Sequence, residues 1–229
     1  MKRILIIATL CVPIAANAAP VGFRYAEYFA MQTGSPGSMT GQMINSDGSV
    51  IGVSYSGHVV ADSQINNTGS YYYTGFNGGS SPYINSLVGN APAAKDIIAL
   101  AGQTNAPINN TINFSVAVVD PIMAIVSLGQ QGQSSNYDFN TPFTILSQGG
   151  GYFGNNGNAL SNPFGNRLTG FEGNGVIQFK GTFTSISFVA SPAEYWGGFN
   201  VGVQAVPEPG SLIILSAGLV ILVRRRRKS

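Results

Sequence analysis

The amino-acid sequence predicts an all-β protein, a single β-sandwich with a jelly-roll-like arrangement of strands over residues 19–205. Three observations support this fold class. Short apolar or alternating segments recur along the region, clusters of Gly, Asn, Ser and Pro separate them, and no segment has the length and period of an amphipathic helix. Many short strands with frequent turns are typical of two packed sheets, so we expect one domain with a sizeable core.

The chain begins with the features of a signal peptide over residues 1–18. An apolar segment follows a basic start, and Ala16 and Ala18 form a small-x-small cleavage site. We expect signal peptidase to cut after Ala18, with a cut one residue later as the alternative. The apolar segment is short for a permanent anchor. Cys11 is the only cysteine and would leave with this peptide, so we expect neither disulfides nor thiolate metal sites in the exported protein.

Two segments show clear strand periodicity. In Thr111–Val119 the apolar residues alternate and are expected to share one face of the strand. They are Ile112, Phe114, Val116 and Val118. Thr182–Ala190 alternates in the same way. The other predicted strands are Phe23–Phe29, Val50–Tyr55, His58–Ala61, Ile122–Leu128, Phe143–Leu146, Val176–Lys180 and Phe199–Val203.

Turn chemistry joins several of these strands. Asp47-Gly48 is a hairpin signal, and Asp120-Pro121 predicts a sharp break between two adjoining strands. The glycine-rich loops lack the lysine and the strand-to-helix context of a phosphate-binding loop, so we interpret them as turns of a β domain.

The charge distribution excludes one class of partner. Between Ala19 and Val206 the chain has four basic and eight acidic residues, although the formal net charge of the whole chain is +2. Nucleic-acid binding needs clustered Lys or Arg, so we expect no nucleic-acid partner. The basic residues are Arg24, Lys95, Arg167 and Lys180, and the acidic ones are Glu27, Asp47, Asp62, Asp96, Asp120, Asp138, Glu172 and Glu194.

Few residues offer catalytic chemistry. His58 is the only histidine and has no nucleophile-elbow pattern beside it, so we expect an exposed or edge-strand side chain. Glu172 and Glu194, both near aromatic residues, are the pair to inspect for glycoside cleavage, which needs two carboxyl groups at a set separation. Solvated surface carboxylates are the alternative. We predict a protein that is not an enzyme, with no catalytic residues, no metal site and no cofactor.

Calcium is the one ion left open. Asp47 in the hairpin turn and Asp62 before Ser63 offer oxygen donors in an extracellular setting, yet neither loop matches an EF-hand. We expect both to be turn residues, with bound calcium as the alternative.

Aromatic residues cluster at Tyr71-Tyr72-Tyr73, at Tyr152-Phe153 and at Tyr195-Trp196. Aromatic rings next to Asn and Asp side chains are suited to carbohydrate, because the rings pack on sugar C–H groups while the polar groups bond hydroxyls. Tyr71, Tyr72 and Tyr73 are therefore candidate glycan contacts. Both surface and core positions are open for this triplet, and a core position is favoured for Trp196.

The last segment, residues 206–229, differs from the rest of the chain. An apolar stretch counted from Gly210 to Val223 would form a helix only about 21 Å long, which is short for a bilayer core of about 30 Å. The cations that follow stay on the cytoplasmic side and hold this transmembrane helix, while Pro207 and Pro209 isolate an extended linker outside. An ordinary single-pass anchor is the alternative. The basic stop comprises Arg224, Arg225, Arg226, Arg227 and Lys228.

Val206-Pro207-Glu208-Pro209, followed by the apolar stretch and the arginine cluster, resembles the PEP-CTERM sorting signal of Gram-negative bacteria. The resemblance implies that an integral-membrane exosortase recognises Pro207, Glu208 and Pro209, then removes or exchanges the tail. It also implies an inner-membrane anchor before processing and a cell-surface or extracellular location afterwards.

The preceding region is similar to PEP-CTERM proteins that carry no assigned catalytic residues. Such proteins are associated with bacteria that produce exopolysaccharide and form biofilms or flocs, which makes exopolysaccharide a candidate partner. The similarity lies in Asp96-Ile97-Ile98, in Asn113-Phe114-Ser115 through Gly129, in Gly181 through Ile186, and in Glu194-Tyr195-Trp196.

The sequence therefore leads to one functional hypothesis and two alternatives. The hypothesis is an exported, non-enzymatic surface or extracellular-matrix protein with a structural or adhesive role among exopolysaccharides. A carbohydrate-binding module is the first alternative, and a secreted polysaccharide-cleaving enzyme is the second.

Overall fold

The computed structural model describes residues 19–102, 108–154 and 159–205. Within these ranges the chain forms fourteen β-strands and one short 3-10 helix at Phe76–Gly78. The strands are β1 Phe23–Tyr25, β2 Glu27–Gln32, β3 Gly34–Ile44, β4 Val50–Val59, β5 Ile98–Leu100, β6 Asn109–Val119, β7 Ile122–Leu128, β8 Ser135–Phe139, β9 Phe143–Gly149, β10 Leu160–Ser161, β11 Arg167–Gly170, β12 Gly173–Phe179, β13 Thr182–Ser191 and β14 Gly197–Gln204.

The predictions for the two ends of the chain lie outside the described residues. They are the signal peptide with its cleavage site at Ala16 and Ala18, the sorting motif at Pro207, Glu208 and Pro209, the transmembrane helix, and the basic stop at 224–228. Within the described ranges no helix is long and apolar enough to cross a bilayer.

The strands build two antiparallel sheets. The small sheet has the order β1-β14-β7-β12-β9, with β5 also pairing with β14, and the large sheet has the order β10-β11-β8-β13-β6-β4-β3-β2. The prediction of an all-β fold with two sheets is confirmed, whereas the jelly-roll-like arrangement stays a prediction.

The two sheets face each other across one apolar core. Phe199 of the small sheet packs against Tyr55 and Phe188 of the large sheet, with both ring-centroid distances at 5.6 Å. Phe139 of the large sheet lies 4.9 Å from Phe179 of the small sheet. Burial of such aromatic side chains, each worth about 1.5 to 3 kcal/mol, is the main force that holds the sheets together.

A long segment between β4 and β5, residues 60–97, covers the outer face of the small sheet. We call it the covering segment. Tyr73 and Tyr83 from this segment are buried against Ile122, Ala124 and Val126, which point away from the sandwich core. Because β7 is covered on both faces, its residues are all buried, and this explains its continuous apolar sequence.

Asp96 ties the covering segment to both sheets. Its carboxylate accepts the backbone N–H of Tyr28 at 3.0 Å and that of Asn67 at 2.7 Å. Its backbone carbonyl accepts the Tyr73 hydroxyl at 2.8 Å and the Asn200 side-chain amide at 2.9 Å. Asp96 is only 1% exposed, so its bonds to Tyr28, Tyr73 and Asn200 are made where water cannot replace them, while the bond to Asn67 is part-buried.

The predicted alternation of β6 is wrong at one position. Ile112, Phe114 and Val118 are buried as expected, but Val116 is 52% exposed. The register between β6 and β13 shifts between Phe183 and Ser185, and such an irregularity moves residues of a strand to the opposite face.

Both predicted turns are confirmed. Residues 45–49 join β3 to β4, and the Asp47 carboxylate accepts the backbone N–H of Ser49 at 2.9 Å while Gly48 has a φ of +81°. Asp120 separates β6 from β7 with a φ of +48°, and its carboxylate accepts the N–H of Gly181 at 2.8 Å. Asp and Gly tolerate this left-handed backbone better than most residues.

Candidate functional site

A groove of about 700 Å³ lies at one end of the small sheet, where β7 ends and β12 and β14 begin. The ends of these strands and the adjoining loops supply most of its polar residues. The covering segment supplies Asp62 and Tyr72, and the loop after β9 supplies Phe153. We call it the aromatic-acidic groove. It is lined by Asp62, Tyr72, Ser127, Gly129, Gln130, Gln131, Phe153, Glu172, Tyr195 and Trp196.

Tyr72 lies at the centre of the aromatic side of the groove. Its ring stacks on Phe153 with a centroid distance of 5.4 Å and lies 5.2 Å from Trp196. Phe153 and Trp196 are themselves 5.3 Å apart, and Tyr152 packs edge-on against Tyr72 at 5.1 Å. The cluster is held by its own ring contacts and by packing of Tyr72 and Trp196 on the small sheet, yet it leaves Phe153 48% exposed. It therefore presents a fixed apolar surface to solvent.

The acidic side of the groove is organised around Glu172. The hydroxyl of Ser127 donates to Glu172 Oε1, and the backbone carbonyl of Glu172 accepts the side-chain amide of Asn174 at 2.7 Å. Asn174 Oδ1 in turn accepts the backbone N–H of Ser127 at 2.9 Å. Asn174 is only 1% exposed, and its hydrogen bonds to Ser127 and Glu172 hold both of these groove residues in place.

The backbone of Ser127 and Glu172 is strained. Ser127 has a φ of +55° and Glu172 a φ of +59°. Within the described ranges every other residue with positive φ is Gly, Asn or Asp, which adopt this conformation readily. Strain of this kind costs about 1 to 3 kcal/mol and is concentrated at functional sites. Its occurrence at two hydrogen-bonded residues of one groove marks the groove as the candidate site.

Glu194 lies next to the groove but is not among its lining residues. Its side chain is only 8% exposed, and burial raises its pKa to about 8 from the usual 4.5. The Gly129 N–H and the Ser135 hydroxyl partly offset this rise in pKa, while the charge of Glu172 adds to it. Glu194 Oε2 has no hydrogen-bond partner among the described residues.

The three tyrosines Tyr71, Tyr72 and Tyr73, predicted together as candidate glycan contacts, lie in different environments in the structure. Tyr72 lines the groove, whereas Tyr71 is half-buried and its hydroxyl donates to the Pro92 carbonyl at 2.7 Å. Tyr73 is 1% exposed and packs edge-on against Tyr83, so a glycan contact at Tyr73 is wrong. The alternation of the chain explains this result, because neighbouring side chains of an extended segment point to opposite sides.

The structure places Glu172 and Glu194 as electrostatic neighbours, but only Glu172 reaches the groove. Trp196, for which the sequence favoured the core, is partly buried against the small sheet and also lines the groove.

The remaining candidates lie in different places. His58 is in β4, which pairs with strands on both sides, so an edge position is wrong; partial burial lowers its pKa. Asp47 bonds Ser49 within its turn, and Asp62 lines the groove. No group of three or more His, Cys, Asp or Glu that could hold a metal ion occurs in the described part of the chain.

Sequence reasoning missed Ser127, Gln130, Gln131 and Asn174. One signal was available: Gly129 to Gln133 is a polar, glycine-containing run directly after the most apolar strand of the chain. Such a run at the end of a buried strand is a common position for binding residues. Nothing in the sequence indicated that Gln130 would accept the Tyr195 N–H at 3.1 Å and so join two walls of the groove.

The fold and the groove define a β-sandwich protein with a candidate ligand site at one end of its small sheet. Residues 205–228 match the family model of the PEP-CTERM protein-sorting motif, so the chain carries a PEP-CTERM sorting domain. The comparisons with curated proteins and with solved structures found no match. The motif implies export, processing at the membrane with exosortase as the partner, and then the surface.

Proposed function

We propose that this protein is a non-enzymatic component of the cell surface or extracellular matrix, and that it adheres to exopolysaccharide through the aromatic-acidic groove. The sorting motif supports the location, because it directs an exported chain to exosortase. The groove supports the binding function. The proposal unites the structural role with the carbohydrate-binding role at one site.

The observation that carries the proposal is the contact of a fixed aromatic surface with polar side chains in one groove. The rings of Tyr72, Phe153 and Trp196 lie within 5.2 to 5.4 Å of each other. Such rings stack on the apolar face of a sugar, and the neighbouring Gln130 and Glu172 can accept its hydroxyl protons. The volume of about 700 Å³ lies within the usual range for ligand sites, about 300 to 1,000 Å³.

The test is retention of the purified full chain on the exopolysaccharide of its host, measured by affinity electrophoresis. Phe153→Ala should weaken binding about tenfold, because one stacking ring is worth about 0.5 to 1.5 kcal/mol beyond its buried area. Phe29→Ala is the matched control, since Phe29 is 51% exposed against 48% for Phe153 but lies on β2 of the large sheet.

Trp196→Ala serves as a second groove variant. Unchanged retention of both groove variants, or an equal loss in Phe29→Ala, would contradict the proposal.

A second candidate is polysaccharide cleavage, which is favoured by the position of Asp62 and Glu172 in the same groove. Paired carboxyl groups are the usual groups for glycoside hydrolysis. If the wild-type chain releases reducing ends from the polysaccharide and Glu172→Gln does not, the enzyme is the better description. Absence of release by the wild type removes this candidate.

A further inference from the structure

We propose that the aromatic-acidic groove selects a sugar that carries a free ammonium group, an amino sugar, over neutral and acidic sugars. This inference rests on the proposed carbohydrate-binding function and names the ligand class of the same site. It follows from the charges around the groove and from the kind of surface that its rings present.

The charged side chains that line the groove are all acidic. Asp62 and Glu172 are among the lining residues, and no Lys, Arg or His is. The groove therefore attracts a positive charge and repels a uronic acid.

Three of the four Lys and Arg residues in the described part of the chain are remote from the groove or paired elsewhere. Lys180 follows β12 and donates to Asp120 at 2.9 Å, whereas Glu172 precedes that strand, about 25 Å away at 3.3 Å per residue. Arg24 pairs in register with Val203 near the far end of β14. Arg167 donates to Asp138 at 2.9 Å on the large sheet. Charges beyond about 8 to 10 Å are largely screened at physiological salt, so these residues do not neutralise the groove.

The same groove offers two complementary contacts to an ammonium-bearing ring. The faces of Tyr72 and Trp196 attract a cation as well as C–H groups. The Glu172 carboxylate is held in place by the Ser127 hydroxyl. The strained backbone of Glu172 is held by the side-chain amide of Asn174, which donates to its carbonyl. A preorganised carboxylate next to aromatic faces gives an ammonium both a charge-assisted hydrogen bond and a cation–π contact.

The test compares three soluble oligosaccharides of equal length by calorimetric titration of the full chain in mildly acidic buffer. They are the β-1,4 oligomers of glucosamine, of N-acetylglucosamine and of glucose. We expect the glucosamine oligomer to bind at least about tenfold more tightly than the other two, with an affinity that falls as salt is added. Glu172→Gln should remove most of this preference, because the amide keeps an acceptor for Ser127 but loses the charge. Glu27→Gln is the matched control, since Glu27 is an exposed glutamate on the edge strand β2.

The outcomes separate this inference from the proposed function. If all three oligomers bind equally and Glu172→Gln changes nothing, carbohydrate binding stands and the preference for an ammonium group is overturned. If the neutral oligomers bind best, the preference is likewise overturned. If no oligomer binds and the host exopolysaccharide is not retained either, the proposed function fails together with the inference. Equal loss of preference in Glu172→Gln and Glu27→Gln would overturn the assignment to this groove.

Discussion

The two most buried carboxyl groups of the described chain, those of Asp96 and Glu194, differ in how their oxygens are satisfied. Asp96 is 1% exposed and each of its carboxylate oxygens accepts one backbone N–H, from Tyr28 and from Asn67. Glu194 is 8% exposed, and its Oε2 has no partner among the described residues. Burial raises the pKa of both groups, and for Asp96 the two N–H donors offset part of the increase.

The comparison distinguishes a structural carboxylate from one that belongs to a site. Asp96 fastens the covering segment to both sheets, and its bonds are all to backbone or to buried side chains. Glu194 lies at the groove, with a carboxyl group that favours its neutral form. A fully satisfied carboxylate is expected to affect stability most, whereas an incompletely satisfied one is expected to change the pH response and the electrostatics of binding.

The largest expected effect is on stability through Asp96. Asp96→Ala should lower the free energy of unfolding by about 3 kcal/mol, because the buried N–H of Tyr28 and the partly buried N–H of Asn67 lose their acceptor, and an unsatisfied buried donor costs about 1 to 3 kcal/mol. Urea unfolding of the full chain, followed by the fluorescence of Trp196, the only tryptophan, measures this. Asp47→Ala in the exposed turn should lower the free energy of unfolding much less. Equal losses in the two variants would contradict the structural role assigned to Asp96.

The second effect is the pH dependence that Glu194 imposes. Its folded-state pKa of about 8 lies above the usual 4.5, so between these pH values the folded state holds a proton that the unfolded state has lost. The free energy of unfolding therefore falls as the pH rises through this window. The stabilisation that protonated Glu194 contributes is fully present only below pH 4.5. Glu194→Gln lacks this titrating group, so its free energy of unfolding should rise relative to that of the wild type as the pH is raised from 4.5 to 8. If the free energies of unfolding of the two proteins changed in parallel with pH, the pKa of Glu194 would not be raised in the folded state.

A third effect concerns binding with little change in stability. Ser127→Ala removes the hydroxyl that holds Glu172 and should weaken oligosaccharide binding about fivefold, since such a bond contributes about 1 kcal/mol. Ser49→Ala is a close control, because Ser49 donates a hydroxyl to the Asp47 carboxylate at 2.7 Å outside the groove. Titration of both variants measures the difference, and a loss of equal size in Ser49→Ala would point to a general effect of the substitution.

The smallest expected effect comes from a third, partly exposed carboxylate. Asp138 and Arg167 form an ion pair on the outer face of the large sheet, with side chains 33% and 40% exposed. Arg167→Ala should lower the free energy of unfolding by less than about 1 kcal/mol, and added salt should reduce that difference further. Urea titrations at low and high salt test this, and a loss comparable to that of Asp96→Ala would mean that burial does not set the order of these effects.

Sequence periodicity predicted the strands whose apolar residues are continuous or alternate, and it failed where Gly, Ser and Pro interrupt that pattern. The continuous apolar run of β7 was identified, and its boundaries Ile122–Leu128 agree with the structure. In contrast β3, Gly34–Ile44, was missed, because its Gly, Ser and Pro residues read as turn chemistry and only pairing with β2 and β4 makes it a strand. Predicted strand breaks also differ, since Val50–Val59 is one strand rather than two.

The candidate site shows the same limit more sharply. Local patterns identified Tyr72, Glu172 and Glu194 as residues to inspect, but they favoured the core for Trp196 and could not choose between Tyr72 and Tyr73. That choice depends on which side of the covering segment faces the small sheet, and Tyr73 and Tyr83 occupy that side. Burial of Glu194 is likewise set by Gly129, Ser135 and Gly197, which come from other strands and turns.

The sequence by itself determined the all-β class, the turns at Asp47-Gly48 and Asp120, and the sorting motif, because each depends on residues that are neighbours along the chain. Only the tertiary structure decided that residues as far apart as Asp62, Ser127, Glu172 and Trp196 share one groove. Pairing of β7 with both β12 and β14 places the ends of three distant segments side by side. The partners in such a sheet are selected by the burial of whole faces, and no short stretch of sequence contains that information.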